Sequence, residues 1–281
     1  MERNAKISAG RLAKAFGRTL VLLPHHDDEC AAGALLHELR AEAMVLFLTD
    51  SAPVDSYFWG KYGSRERYRA LRQQESLETL RGIEVEARFG AEEVLDQQLY
   101  RRLPQALDAA LAAAFDWKPK TVLAPAYEGG HPDHDCASYL AAVVAKETGA
   151  QHWELPYYHR TRSGKYRQQE FLAHASHPVE WDLTLEEAEL ERKRAMWSRY
   201  ESQCQVLRDF AVERESYRRA PVYEYGRAPH AGVLNYEAWK WQVSGREVVG
   251  AIGALREERE AAKTVHHGGV ESTMRRLRAS A

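Results

Sequence analysis

Short apolar runs alternating with helix-like segments through the first half of the chain restrict its fold more than any other feature. Thr19–Leu23 and the runs at 43–48 and 121–124 are uninterrupted apolar stretches, as strands covered on both faces require. Residues 85–89 form a weaker run, suited to a strand nearer a sheet edge, and 153–158 supply a fifth. Segments 30–39, 65–81, 103–115 and 137–146 have helical patterning. Five strand–helix repeats predict an α/β fold, with a doubly wound, mainly parallel sheet and helices on both faces.

The second half is patterned differently. Residues 168–174 read as one strand of a hairpin. Thr184-Leu185-Glu186-Glu187 fits a capping box opening a long helix to about residue 210. Residues 217–236, rich in Tyr, Pro and Gly, read as loops or short strands, and 247–263 as a helix. From 264 a flexible tail is expected, carrying His266, His267 and three arginines. The division is therefore a catalytic core over 1–165 and a C-terminal extension over 166–281 that completes the pocket, within one compact domain.

Composition excludes several classes. The 281 residues, 44% hydrophobic, suffice for a core without disulfide staples. Thirty-nine Lys and Arg against 41 Asp and Glu leave a net charge of −2, so no global field recruits nucleic acid or an anionic membrane. The longest apolar run, 109–115, is far below the ~20 residues of a membrane-spanning helix. The N-terminus lacks the apolar stretch of a secretory signal. Three cysteines (Cys30, Cys136, Cys204) suit a reduced compartment, so a cytoplasmic protein acting on a small molecule is expected, its oligomeric state open.

Two clusters carry the chemistry. The strand ending at Leu23 runs into Pro24-His25-His26-Asp27-Asp28-Glu29, and the run ending at residue 124 into Tyr127-Glu128-Gly129-Gly130-His131-Pro132-Asp133-His134-Asp135. In a doubly wound sheet these strands are neighbours at the switch point, where ligands bind beyond the strand ends. Three imidazole or carboxylate ligands with an open fourth position are the arrangement of catalytic zinc. His25 and Asp28, three apart at a turn, face one point, and a histidine of the second cluster completes the set. A further carboxylate beside the metal serves as general base. Simple helix capping by Asp27 or Asp28 explains one cluster, not two at adjacent strand ends.

The sequence PHHDDE resembles the PHPDDE signature of the PIG-L/LmbE-type zinc-dependent N-deacetylases, and GGHPDH resembles their second signature. The likeness covers residues 18–160 best. It implies a Rossmann-like fold, one Zn2+ per chain, and hydrolytic removal of the N-acetyl group from an N-acetylglucosamine-type amino-sugar conjugate. It also implies His25, Asp28 and His134 as zinc ligands and Asp27 as general base toward the attacking water. His131 would be the oxyanion stabiliser, with Asp133 orienting it and holding it charged. His26 stands where the family has proline.

Substrate-binding candidates follow from the same likeness. Arg72 and Glu75 match an Arg-x-x-Glu pattern, with an i,i+3 surface ion pair as the alternative. Asp96 resembles a sugar-contacting aspartate, Asp50 closes the second strand on the site side, and Tyr127 precedes His131 by four residues. Lys193, Ser202 and Gln203 match a family pattern and are expected to be mainly structural. Tyr57, Trp59, Tyr62, Tyr157, Tyr223 and Tyr225 are candidates for ring stacking. A nucleotide-binding fold is excluded by the missing Gly-x-Gly-x-x-Gly. A two-metal phosphoesterase and a non-catalytic sugar-binding protein remain the alternatives.

Overall fold

Thr19–Leu23, Ala43–Phe47 and Thr121–Pro125 are buried at every position, and their alternate side chains feed two different cores. Leu20, Leu22, Met44, Leu46 and Val122 point to one face of the sheet, and Val21, Leu23, Val45, Phe47 and Leu123 to the other. This two-sided burial is why the strands are apolar throughout.

The computed structural model describes residues 4–90 and 93–279, the side chains from 263 onward excepted. Its strands are β1 (Asn4–Ile7), β2 (Thr19–Leu23), β3 (Ala43–Phe47), β4 (Glu86–Phe89), β5 (Thr121–Pro125), β6 (Gln151–Leu155), β7 (Tyr158–Arg160), β8 (Tyr166–Gln168), β9 (Glu180–Leu183) and β10 (Ser216–Arg219). Its helices are α1 (Ala9–Phe16), α2 (Gly33–Leu39), α3 (Ser56–Trp59), α4 (Arg65–Gly82), α5 (Leu103–Trp117), α6 (Pro132–Thr148), α7 (Glu187–Trp197), α8 (Cys204–Leu207), α9 (Asn235–Ala238) and α10 (Gly245–Ala279).

Eight strands form one sheet in the order β1-β9-β10-β6-β5-β2-β3-β4. The five expected strands occupy the parallel block β6-β5-β2-β3-β4, and β4 is the edge. Residues of α5, α6 and α10 join the core on one face, and those of α1, α2 and α7 the core on the other. The doubly wound, mainly parallel α/β fold is as the sequence predicts. Neighbouring β2 and β5 lead to helices on opposite faces, so the switch point lies between them.

Three strands escape the sequence reading. β1, β9 and β10 (NAKI, EWDL and SYRR) are four residues each and carry no apolar run. β10 is antiparallel to both β6 and β9, and β1 parallel to β9. The hairpin expected at 168–174 is instead β7 paired with β8. The long helix expected to residue 210 stops at Trp197, and its capping box uses Glu186 and Glu189 rather than Thr184 and Glu187. The break is tertiary: Trp197 Nε1–H bonds the Cys30 carbonyl, Tyr200 O–H bonds Glu29, and Ser202 bonds Glu75. The backbone beyond residue 264 continues α10, while the side chains of His266, His267 and the terminal arginines lie outside the described residues. Among the described residues, no helix is long and apolar enough to cross a membrane.

Candidate active site

The first cluster begins where β2 ends. Leu48 and Thr49 N–H bond the Leu23 and Pro24 carbonyls (2.8 and 3.1 Å), so the β2–β3 ladder extends beyond β2 itself. The chain then turns sharply through Asp27, whose φ is +146°, a region costly to a residue with a Cβ. Three contacts hold it there. The Asp27 N–H donates to Glu29 Oε2 (2.9 Å), and Arg72 reaches the Asp27 carboxylate (2.9 Å) and the His26 carbonyl (2.8 Å). Glu29 is fully buried and accepts the Tyr200 hydroxyl as well. Burial lifts its carboxyl to about 7.

The second cluster is shaped by its glycines. Gly129 has φ +71°. A Cβ on Gly130 would lie 1.8 Å from the Tyr158 carbonyl oxygen, so only glycine lets β7 pack there. Asp135 accepts the Glu128 and Gly129 N–H groups (3.2 and 2.9 Å) and fixes the loop from below. His131 is the N-cap of α6 and Pro132 its first residue. Helix geometry then places Asp133 and His134 on the first turn, facing the strand ends.

Both clusters meet in one buried centre. His25 Nδ1 lies 3.3 Å from Asp28 Oδ2, and His134 Nε2 lies 3.2 Å from Asp28 Oδ1. Metal bonds of about 2.0–2.2 Å at tetrahedral angles put ligand atoms roughly 3.3–3.6 Å apart, and each imidazole nitrogen lies at about that distance from one Asp28 oxygen, so the donor set suits a small dication such as zinc. A second grouping shares His25 and adds Asp96, His131 and Asp133. Its Asp133 also accepts the Gln97 and Leu99 N–H groups (2.6 and 3.0 Å), as Asp28 accepts the His25 N–H (2.9 Å).

The electrostatics follow the packing. Burial opposes ionisation of Asp28, yet His134 and His25 hold its carboxyl well below the usual carboxylate range. Burial also opposes charge on His25, but Asp96, Asp28 and Asp133 raise its pKa well above the ordinary value. Burial raises the Asp27 carboxyl to about 6 against the pull of Arg72. For His131, burial and then the neighbouring His25 and His134 depress the pKa well below normal. His131 Nδ1 accepts the Asp133 backbone N–H (3.1 Å), which leaves Nε2 carrying the proton in the neutral ring.

The structure brings together His25, Asp27, Asp28, Arg72, Asp96, His131 and His134 around one cavity of about 690 Å³. Other candidates are placed differently. The Asp133 carboxylate is 4.0 Å from His131 Nδ1, beyond hydrogen-bond reach, and instead contacts His25 Nε2 (3.2 Å). Its backbone N–H, rather than its carboxylate, lies within hydrogen-bond distance of the His131 ring. Asp50 sits behind the cavity, pairing with Arg65 and accepting the Asp96 N–H (3.1 Å), so it supports the loop of Asp96. Tyr127 does not line the cavity: it is buried against Tyr223 and Tyr225, with its hydroxyl on the Arg227 carbonyl.

Arg72 is buried at the Asp27 carboxylate rather than paired on the surface, and Glu75 accepts the Ser202 N–H and hydroxyl. His26 packs edge-on against the stacked rings of Phe47 and Phe89 with both ring nitrogens unpartnered. Lys193 is fully buried against Glu215 (2.8 Å), which accepts the Ala34 N–H at the start of α2. Of the expected stacking aromatics, Tyr57 and Tyr157 line the cavity and Trp59, Tyr62, Tyr223 and Tyr225 do not. Tyr158, past the fifth strand at the expected mouth, also lines it, and sequence reasoning missed Tyr166, Trp239 and Trp241, which do so too. The paired tryptophans two residues apart were the available signal.

Comparison with known proteins finds a family likeness over the segment that holds these residues. A family profile described as "PIG-L: GlcNAc-PI de-N-acetylase" matches residues 20–146, the segment holding every one of the seven site residues just named. No curated protein sequence matches the chain. Among solved structures, a deacetylase of the teicoplanin biosynthesis pathway is 17% identical, with a TM-score of 0.56 over 72% of this chain and 96% of that one. The A40926 pseudoaglycone deacetylase Dbv21 is 18% identical, with the same TM-score and the same coverage. The zinc-inhibited form of teicoplanin deacetylase Orf2 is 16% identical, with a TM-score of 0.53 over 72% and 97%. At these identities the likeness is one of fold. With the fold shared and the paired motifs matched over β2 to α6, residues 20–146 of this chain form a PIG-L family domain.

Proposed function

We propose that the protein is a zinc-dependent hydrolase that removes the acetyl group from an N-acetylglucosamine-type amino-sugar conjugate. The observation that carries this reading is the buried set of His25, Asp28 and His134, with ring nitrogens 3.3 and 3.2 Å from the two Asp28 oxygens and Asp27 held beside it on strained backbone. His25, Asp28 and His134 hold the metal, one per chain. When bound, the metal supplies Lewis acidity toward the amide carbonyl and a water of lowered pKa. Asp27 takes a proton at its carboxylate from the attacking water and returns it to the leaving amine. Arg72 fixes the Asp27 carboxylate in place. The Nε2–H of neutral His131 donates to the developing oxyanion, as a preorganised donor worth about 10²–10³ in rate. Asp96, close to both His25 and His131, is within reach of a sugar hydroxyl.

The test is elemental analysis on untagged protein, followed by acetate release from N-acetylglucosamine conjugates. About one zinc per chain with acetate release is the expected result, and His134→Ala should abolish metal uptake. The second grouping around Asp96 and Asp133 gives the two-metal phosphoesterase a specific handle. Two metals per chain with phosphate release and no acetate would replace the deacetylase reading. Binding of amino sugars without acetate release would indicate a sugar-binding protein.

A further inference from the structure

An unbroken aromatic wall leads outward from the candidate centre. His131 meets Trp241 edge-on with ring centroids 4.8 Å apart, and Trp241 lies 5.4 Å from Trp239. Trp239 in turn lies 5.5 Å from Tyr158 and 6.2 Å from Tyr166. Tyr158 closes the circuit at 6.0 Å from His134. All four rings line the same cavity, yet Trp239 and Tyr166 remain 42% and 39% exposed. Large rings left open to water inside a cavity offer apolar faces that nothing in the fold covers.

The wall is held in register with the centre. Asn235 of α9 donates its N–H to the Gly129 carbonyl (2.8 Å) and its side-chain amide to the Gly130 carbonyl (3.2 Å). Lys240, at φ +58°, turns the chain between Trp239 and Trp241 so that both indoles line the cavity. Tyr158 packs its backbone on Gly130. The loop that presents His131 and His134 is thus the same loop that seats the wall. The cavity, at about 690 Å³, is also larger than one amino sugar fills and is of a size for a drug-sized ligand.

We propose that Trp239, Trp241, Tyr158 and Tyr166 form a stacking subsite for a second ring of the substrate, so that the amino sugar is deacetylated as part of a conjugate carrying a ring with an apolar face. The proposal rests on the deacetylase reading, which supplies the amino sugar at the metal end. Stacking on such a wall strengthens binding by up to about tenfold for one ring pair.

Calorimetric titration of the zinc-loaded full chain with amine products, which cannot turn over, tests it. Methyl β-glucosaminide is the one-ring probe; phenyl β-glucosaminide and the glucosaminyl disaccharide are the two-ring probes. The expected result is about tenfold tighter binding of at least one two-ring probe, with the preferred probe telling an aryl from a glycosyl neighbour. Trp239→Ala should erase that gain and leave the methyl glycoside unchanged. Tyr166→Ala, another exposed position, repeats the test should the first variant fold poorly. Equal affinity for one-ring and two-ring probes, or a gain that survives both variants, overturns the stacking subsite and leaves the deacetylase reading standing. Binding of none of the three overturns the amino-sugar reading and the subsite with it.

Discussion

Asp27 and Asp28 are adjacent carboxylates with opposite surroundings, and that contrast assigns their work. Asp28 faces two imidazoles, which favour its anion, whereas Asp27, part-buried, has a single guanidinium beside it, and desolvation lifts its carboxyl to about 6. A group that must gain and then give back a proton is better served by the second environment. Asp27→Asn should therefore keep metal content unchanged and lower turnover by about 10²-fold or more, measured by elemental analysis beside acetate release. Turnover near wild type would remove Asp27 from the base role. His131→Ala should reduce kcat by about 10²–10³ with little change in product affinity. A change confined to affinity would make His131 a binding group only. His26 was legible as a departure from the family pattern, but its destination was not. It packs edge-on against the stacked pair Phe47 and Phe89, and that pair exists only after β3 and β4 come into register.

At the scale of elements, the two glycines before His131 are where local sequence and tertiary packing meet. Gly130 faces the Tyr158 carbonyl so closely that any side chain must push β7 off the loop. Gly130→Ala should cost about 1–3 kcal/mol of stability in urea unfolding and weaken zinc retention in the same protein. An unchanged urea midpoint would mean β7 shifts freely and does not define the cavity. The helices α4, α5 and α6 were readable because their caps and periodicity are local. Ser64 caps α4 at the expected start, whereas α6 opens at Pro132, ahead of the helical patterning at 137–146. The helix expected to residue 210 was misread at its end, since the residues that break it do so by reaching Cys30, Glu29 and Glu75 far away in the chain.

For the whole molecule, the sheet joins the two halves of the sequence, with β9 and β10 docked beside β6. His152 on β6 reports on that docking. Its Nε2 is buried without a partner, and burial lowers its pKa to about 4. The unfolded value is near 6.5, so between these two pH values the unfolded chain binds a proton that the folded chain refuses. Stability should therefore fall as pH drops through that window, by at most about 3 kcal/mol from this group. His152→Gln should flatten the acid limb relative to wild type in urea midpoints measured from pH 7 to pH 4. Parallel curves would show that His152 is neutralised by some other route.

Two-sided apolar strands, helix caps and the paired motifs are local signals, and they alone determined the parallel block, its main helices and the set His25, Asp27, Asp28, His131 and His134. Burial on both faces forces the strand composition, and metal-ligand chemistry restricts the residue types. Tertiary structure decided what those residues lean on. It spent Arg72 on Asp27, placed Asp50 behind Asp96 and turned Tyr127 into the core. It also brought Trp239 and Trp241 about 100 residues back along the chain to His131. Such contacts depend on which surfaces meet once the sheet is assembled, and hydrophobic periodicity carries no record of them.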